Sequence, residues 1–482
     1  MDSLLFINNA DVPASGGATF ARHDPVTDAV ATRAAAANVA DAIAAADAAA
    51  DAFGPWSATG PTERRRLLLK AADLMEARTK DFAAVMAGEV GASEGWAGFN
   101  VHLAAGIIRE AASMTTQIQG ETIPTDRPGT LSMTIRQPVG VVLSIAPWNG
   151  PVILATRAIA YPLACGNTVV LKASELSPGT HLLIAQVFRE AGIPKGVLNV
   201  ITHAAKDAND IVAALIAHRA VRRINFTGSS RVGRIIAETA GRHLKPVLLE
   251  LGGKSPLVVL DDADIDEAVN AAVFGAFVFQ GQVCMSTERI VVDQAVADEF
   301  VAKFAARAAA LPVGDPRKGA CVIGPLVTPD ASRRLAQLIA DSVSAGATVA
   351  TGGKVDGPFM TATVLDHVTP GMRIYDEETF GPVTCVVRAR GVEDAIRLAN
   401  DTEYGLSGAV FGRNVNRALA VALRIQSGSC HVNGPTVQDE AQIPFGGTKA
   451  SGYGRFGGRA VIEEFTELRW ITIESTPQHY PF

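Results

Sequence analysis

The chain has 482 residues, 48% of them hydrophobic and 19% charged, with a formal net charge of −6. That length exceeds one simple core and implies two or three domains. The mild acidity, with no Lys/Arg block, excludes a polyanion such as nucleic acid as partner.

Cys165, Cys284, Cys321, Cys385 and Cys430 are scattered, odd in number and free of any CxxC pair. This excludes a disulfide framework and a zinc ribbon, predicts no metal site, and fits a reducing compartment. The N-terminus, MDSLLFINNADVP, lacks the basic and apolar regions of a signal peptide. The most apolar long stretch, 158–171, is broken by Pro162, Gly166 and Asn167, short of the ~20 residues a membrane span needs. The expectation is a cytoplasmic protein without membrane contact.

In chain order, residues 30–53 are Ala-rich and read as one amphipathic helix with Asp41, Asp47 and Asp51 on its exposed face. Trp96, Phe99, Leu103 and Ile107 share one helical stripe, which reads as core, with Trp96 at its end available as a stacking wall. From 138 onward short apolar runs alternate with helical stretches. VGVVLSIA (139–146), NTVVLKA (167–173), GVLNVIT (196–202), VRRINFTG (221–228) and PVLLEL (246–251) read as buried strands. Helices are expected near 150–164, 178–191, 207–218 and 229–241. This alternation predicts a parallel, doubly wound α/β sheet.

A second α/β series follows. It contains strands at 255–260, 289–294, 384–389 and 407–412, with helices at 264–279 and 295–310. SMTIRQP (132–138) and LRWITIES (468–475) read as extended strands outside both series, either interchain arms or plain edge strands.

Several segments carry chemistry. Glu250 ends an apolar strand, and Cys284 follows in Phe279-Gln280-Gly281-Gln282-Val283-Cys284. A thiolate can attack carbon while a carboxylate handles protons. Free cysteine, with a pKa of about 8.5, is mostly thiol at neutral pH, so such a site must deprotonate it. The alternative for Glu250 is a structural pair with Lys254. FTGSSRVG (226–233) lacks GxGxxG but opens a helix after a strand. Its amides at Gly228 and Ser229 would hold a pyrophosphate, or form a plain turn. Lys172 and Glu175 follow another strand, where open sheets bind ligands. They would clasp an adenosine ribose or form a surface ion pair. Gly253-Lys254-Ser255 fails the P-loop spacing. Cys165, Cys385, Cys430 and Cys321 read as core residues, and Cys430 and His431, as strand neighbours, point to opposite faces.

PWNGP (147–151), KASE (172–175), FTGSSRVG (226–233), ELGGKSP (250–256), FQGQVC (279–284), EETFGPV (377–383) and PFGGTKASGYGR (444–455) together resemble the ordered blocks of the NAD(P)-dependent aldehyde dehydrogenase superfamily. The resemblance spans nearly the whole chain. It implies an α/β fold of two doubly wound domains plus a β-arm for oligomerisation. The expected division is 1–119 and 140–250 for NAD binding, 251–462 for catalysis, and 120–139 with 463–482 for a homodimer or homotetramer arm.

By motif, the resemblance implies Cys284 as nucleophile, Glu250 as general base, and Asn149 with the Cys284 N–H as oxyanion donors. It implies Lys172 and Glu175 at the adenosine ribose, Ser229 with Gly228 at the pyrophosphate, Glu378 at the nicotinamide ribose, and Phe380 and Trp148 along the cofactor groove. Where some members continue GRE, this chain has Gly454-Arg455-Phe456. Glu175 would repel a 2′-phosphate, favouring NAD over NADP. Glu250 argues against a CoA-acylating dehydrogenase, and the retained set argues against a non-enzymatic protein.

For substrate, Gly150 replaces the aromatic residue of the commoner PWNFP, leaving room for a flat ring. Arg157 lies two helical turns further on the same face. Its guanidinium would hydrogen-bond a phenol or phenolate oxygen, or form a structural salt bridge. Trp96, Gly150 and Arg157 therefore predict an aromatic aldehyde within the superfamily's aromatic branch. Salicylaldehyde is favoured, with benzaldehyde, vanillin or aliphatic aldehydes as alternatives.

Overall fold

The computed structural model describes residues 1–482. Five parallel strands form the centre of a first sheet, in spatial order Val247–Glu250, Val221–Thr227, Val141–Ile145, Thr168–Lys172 and Leu198–Ile201. Gly452–Tyr453 closes one edge antiparallel, and Leu5–Ile7 with Ala10–Val12 closes the other. The strands read continuously apolar because both faces are covered. Val142, Val169, Leu171, Leu198 and Val200 enter one core, while Val141, Leu143, Ile145, Val170 and Ile201 enter another. Successive residues of a strand face opposite ways, so one apolar run supplies two cores.

The second sheet repeats this logic with strands Thr363–Asp366, Val383–Ala389, Thr287–Asp293, Ser255–Val259, Ser407–Phe411 and Ser429–Val432 in parallel spatial order, edged by antiparallel Thr348–Thr351. Val258, Val291 and Val387 face one core, and Leu257, Val259, Ile290 and Val292 the other. No helix is long and apolar enough to cross a membrane.

The α/β architecture expected from the sequence is therefore present, with three local corrections. Residues 30–53 are not one helix: Val30–Ala35 is a strand pairing with Thr19–His23, and the helix is Val39–Ser57. Asp41 is buried, closing a capping box with Asn38 and accepting from Ser15, rather than lying on the exposed face. The helix expected through 279 stops at Phe277, because Phe279 and Gln280 adopt left-handed backbone at φ 46° and 54°.

The two detached segments pair with each other. Thr130–Pro138 and Thr466–Glu474 form an antiparallel ribbon separate from both large sheets, exposing Leu131, Leu468, Trp470 and Ile473.

In the first sheet, chain order reverses between Val141–Ile145 and Val221–Thr227, the switch point at which open α/β sheets bind ligands. Asn149, Lys172, Gly228 and Glu250 all sit at or just beyond carboxyl ends of these strands. Cys284 and Glu378 come from the opposite direction, in loops entering Thr287–Asp293 and Val383–Ala389 of the second sheet.

Candidate active site

A cavity of about 750 Å³ contains Cys284, Asn149, Gly150, Trp96 and Arg157 in its wall. The Cys284 Sγ lies 3.6 Å from Oε1 of Glu250. Glu250 is only 1% exposed, and its Oε2 has no partner. The alternative pairing with Lys254 does not occur: Lys254 bonds Glu288 at 2.9 Å and the Glu377 carbonyl at 2.7 Å. Burial pushes the Glu250 carboxyl up to about 7, opposed by the Arg157 charge. Burial also pushes the Cys284 thiol well up, and the carboxylates of Glu250 and Glu378 push the same way. A base able to hold a proton near neutrality thus stands beside a thiol reluctant to lose one.

Asn149 is buried at the turn between Val141–Ile145 and the helix Pro151–Ala164. Its Nδ2 donates to the Gln282 carbonyl at 3.0 Å, bringing the amide to the segment that carries Cys284. The Cys284 N–H makes no backbone bond. A side-chain amide and a free backbone N–H therefore lie within one turn of chain from the thiol.

Trp96, on the helix Glu94–Met114, does more than stack. Its indole N–H donates to the Asn149 carbonyl at 3.0 Å, and its ring lies parallel to Phe279 with centroids 4.8 Å apart. Phe279 takes this place through its left-handed backbone, a conformation costing roughly 1–3 kcal/mol. Gln280 secures the turn by donating to the Pro325 carbonyl at 3.0 Å. Of the Trp96 stripe, Phe99 and Leu103 line the cavity while Ile107 belongs to the core.

Gly150 opens the helix Pro151–Ala164. A Cβ there would meet nothing closer than 3.6 Å, so the wall has room beside Asn149. Arg157 combines the two alternatives drawn from sequence. It lines the cavity and is ion-paired with Asp439, with both side chains buried. Its guanidinium lies 5.0 Å from the Phe445 ring centre and 5.7 Å from that of Phe456, so the aromatic residue standing where GRE would place an acid packs on Arg157. Sequence reasoning missed Asp439, Phe445 and Phe279 as wall residues. It also placed Cys321 in the core, whereas Cys321 is partly exposed and lines the cavity.

Of the expected cofactor residues, Trp148, Lys172, Glu175, Gly228 and Ser229 end or follow strands of the first sheet, and Glu378 and Phe380 lie in the loop before Val383–Ala389 of the second. Lys172 is buried and makes no ion pair with Glu175. Burial lowers the pKa of its ammonium, while Glu175 opposes the shift. Ser229 caps the helix Ser230–Arg242, accepting from Val232 N. A Cβ on Gly228 would meet the Phe226 ring at 2.4 Å, so a larger residue in this turn would have to displace that ring. Glu378 accepts from Gly253 N at 2.9 Å, and burial beside Glu288 pushes its carboxyl up to about 8. Trp148 and Phe380 meet edge to face, centroids 5.7 Å apart. A buried ammonium without a carboxylate partner, a helix N-terminus, a half-buried carboxylate and two aromatic rings fit a dinucleotide's hydroxyls, pyrophosphate and flat ring.

This arrangement suits covalent chemistry at a cysteine thiol with a carboxyl group to handle protons. A family model described as the aldehyde dehydrogenase family matches residues 12–471, and the chain belongs to that family. It is 61% identical to a salicylaldehyde dehydrogenase of Pseudomonas putida, with all of both chains covered. It is 58% identical to a vanillin dehydrogenase of Pseudomonas fluorescens, again over the whole of both. Among solved structures it resembles a salicylaldehyde dehydrogenase from Pseudomonas putida G7 complexed with salicylaldehyde. That comparison gives a TM-score of 0.99 and 61% identity, with both chains fully covered.

Proposed function

We propose that this enzyme oxidises an aromatic aldehyde carrying a ring hydroxyl, salicylaldehyde above others, to the carboxylic acid with NAD. The carrying observation is the cavity wall: Gly150 leaves space beside Asn149, Trp96 offers a ring face, and Arg157 offers a cation in the same cavity. Relatives named for salicylaldehyde and vanillin support the same class. Benzaldehyde and vanillin are the nearest alternatives.

The mechanism assigns Glu250 the Cys284 thiol proton as the sulfur bonds the aldehyde carbon. Asn149 Nδ2 and the Cys284 N–H then hold the alkoxide, each such donor contributing on the order of 3 kcal/mol. When bound, the dinucleotide supplies the acceptor for the hydride that leaves this carbon. The product on Cys284 is a thioester. Glu250, once ionised, removes a proton from water as the water oxygen attacks the thioester carbon. The C–S bond breaks, releasing the acid and the thiol.

Lys172 and Glu175 would hold the adenosine ribose, Gly228 and Ser229 the pyrophosphate, Glu378 the nicotinamide ribose, and Trp148 and Phe380 the groove beside the nicotinamide. The Glu175 carboxylate beside the ribose 2′ position disfavours a 2′-phosphate, hence NAD rather than NADP. The two sheets and the ribbon support the expected division into cofactor domain, catalytic domain and arm, although Gly452–Tyr453, from the stretch expected in the catalytic domain, edges the first sheet. The ribbon's exposed Leu131, Leu468, Trp470 and Ile473 support its use as an arm between copies in a dimer or tetramer. An aldehyde panel under NAD and NADP tests the reading. A hydroxybenzaldehyde is expected to exceed hexanal in kcat/KM, and NAD to exceed NADP. Preference for hexanal would reject the aromatic assignment.

A further inference from the structure

The bond between Arg157 and Asp439 runs from Nη2 to Oδ2. Nη1 of Arg157 and Oδ1 of Asp439 remain buried and unpartnered, one donor and one acceptor on the same ion pair. Both residues line the cavity that holds Cys284. Phe445 and Phe456 pack against the guanidinium, so its remaining polar capacity is at its edge. A buried donor or acceptor left unpaired is costly, and a ligand that satisfies both would recover that cost.

Resting on the aromatic reading above, we propose that the Arg157–Asp439 pair is a receptor for an uncharged hydroxyl, and that Asp439 makes the site select phenol over phenolate. A phenol O–H donates its proton and accepts on its oxygen, so it answers Asp439 Oδ1 and Arg157 Nη1 together. A phenolate only accepts. It would leave Oδ1 unpaired and place a second anion against the Asp439 carboxylate. A methoxy oxygen also only accepts, and so satisfies half the site. A lone guanidinium would favour the anion; pairing with Asp439 reverses that preference.

The surrounding acidic groups, where ionised, act in the same direction. Glu250 faces the pair from the strand Val247–Glu250, Cys284 from the cavity wall, Tyr161 from the Arg157 helix, and Glu440 from the Asp439 loop. Glu110 acts on Tyr161 from the helix Glu94–Met114. Arg157 is the one cation among these acids, and it is already paired.

The test measures kcat/KM against pH for the wild-type enzyme with NAD. The substrates are benzaldehyde, a methoxybenzaldehyde and a series of meta-hydroxybenzaldehydes, whose phenolate oxygen is not conjugated with the aldehyde and whose phenol acidity is graded by ring substituents. Each hydroxybenzaldehyde is expected to lose about tenfold per pH unit above its own phenol pKa, a limb that benzaldehyde lacks. In Asp439→Asn the protonated hydroxybenzaldehydes are expected to lose about 10- to 100-fold, more than benzaldehyde loses, and the phenol-linked limb to flatten. An alkaline limb shared by all aldehydes regardless of phenol acidity, or equal losses across substrates in the variant, overturns the proposal. Should the variant fail to fold, the wild-type series decides alone. If every aromatic aldehyde is refused, the aromatic reading falls and takes this inference with it. If benzaldehyde is oxidised but the limb ignores phenol acidity, only this inference falls.

Discussion

The Cys284 thiol and the Glu250 carboxyl meet at 3.6 Å although each belongs to a different sheet. Glu250 ends a strand of the first sheet, and Cys284 precedes a strand of the second. The carboxyl edge of one sheet is thereby set against the amino edge of the other, and the cavity opens at that seam.

Glu250→Gln is expected to lower kcat by about 10²- to 10⁴-fold, since the variant cannot accept the water proton. The first burst of reduced nicotinamide and the later turnovers should both slow, since Glu250 takes the thiol proton as well as the water proton. In the wild type, thioester hydrolysis needs the ionised carboxylate, so its rate should rise with pH through about 7. Stability runs the other way. The folded state holds this proton more tightly than the unfolded chain, so between about 4.5 and about 7 stability declines as pH rises. Denaturant titrations across that window should show a shallower decline in Glu250→Gln. Stopped-flow traces with a burst as fast as that of the wild type would remove Glu250 from acylation and confine it to hydrolysis.

The same variant should change the thiol. Burial raises the Cys284 pKa first, and the Glu250 charge adds to it. Removing that charge is expected to shift alkylation by iodoacetamide toward lower pH. An unchanged alkylation profile would mean that the carboxylate does not govern the thiol at rest.

Residues placed at strand ends were legible in the sequence because the apolar runs mark those ends directly. Glu250, Asn149 and Lys172 each follow such a run, and the ordered motifs tie them to Cys284. The Arg157–Asp439 pair was not legible, since its partners lie 282 residues apart and Asp439 sits in a loop without periodicity. The segment Val30–Ala35 misled for a different reason. Alanine favours helix locally, but pairing with Thr19–His23 on one side and Asp2–Ser3 on the other overrides that preference. The Phe279 turn was hidden too, because left-handed backbone in a phenylalanine leaves no compositional mark.

Trp96→Phe separates stacking from hydrogen bonding. Phenylalanine keeps a ring against Phe279 but cannot donate to the Asn149 carbonyl. Losing a bond worth about 0.5–1.5 kcal/mol should lower kcat about 2- to 10-fold through looser placement of the Asn149 amide. KM for benzaldehyde should change less than kcat. A rise in KM with kcat unchanged would confine Trp96 to binding the substrate ring.

Gly150→Phe tests whether the open wall sets the substrate class. The nearest atoms to a Cβ at this position are Asn100 Oδ1 and Leu154 Cδ1, both at 3.6 Å, so the backbone need not move. Gly150 has φ −125°, a value open to any residue. The variant should therefore fold with a melting temperature close to that of the wild type. Its ring, however, must project into the space beside Asn149 that an aromatic aldehyde would use. A hydroxybenzaldehyde should lose about 10- to 200-fold in kcat/KM, the range of a misfit worth roughly 1–3 kcal/mol, while a short aliphatic aldehyde is spared. Because the two substrates share the same thiol, amide and carboxylate, damage to the chemistry would depress both alike. Only a loss confined to the aromatic substrate assigns the selection to the space at Gly150.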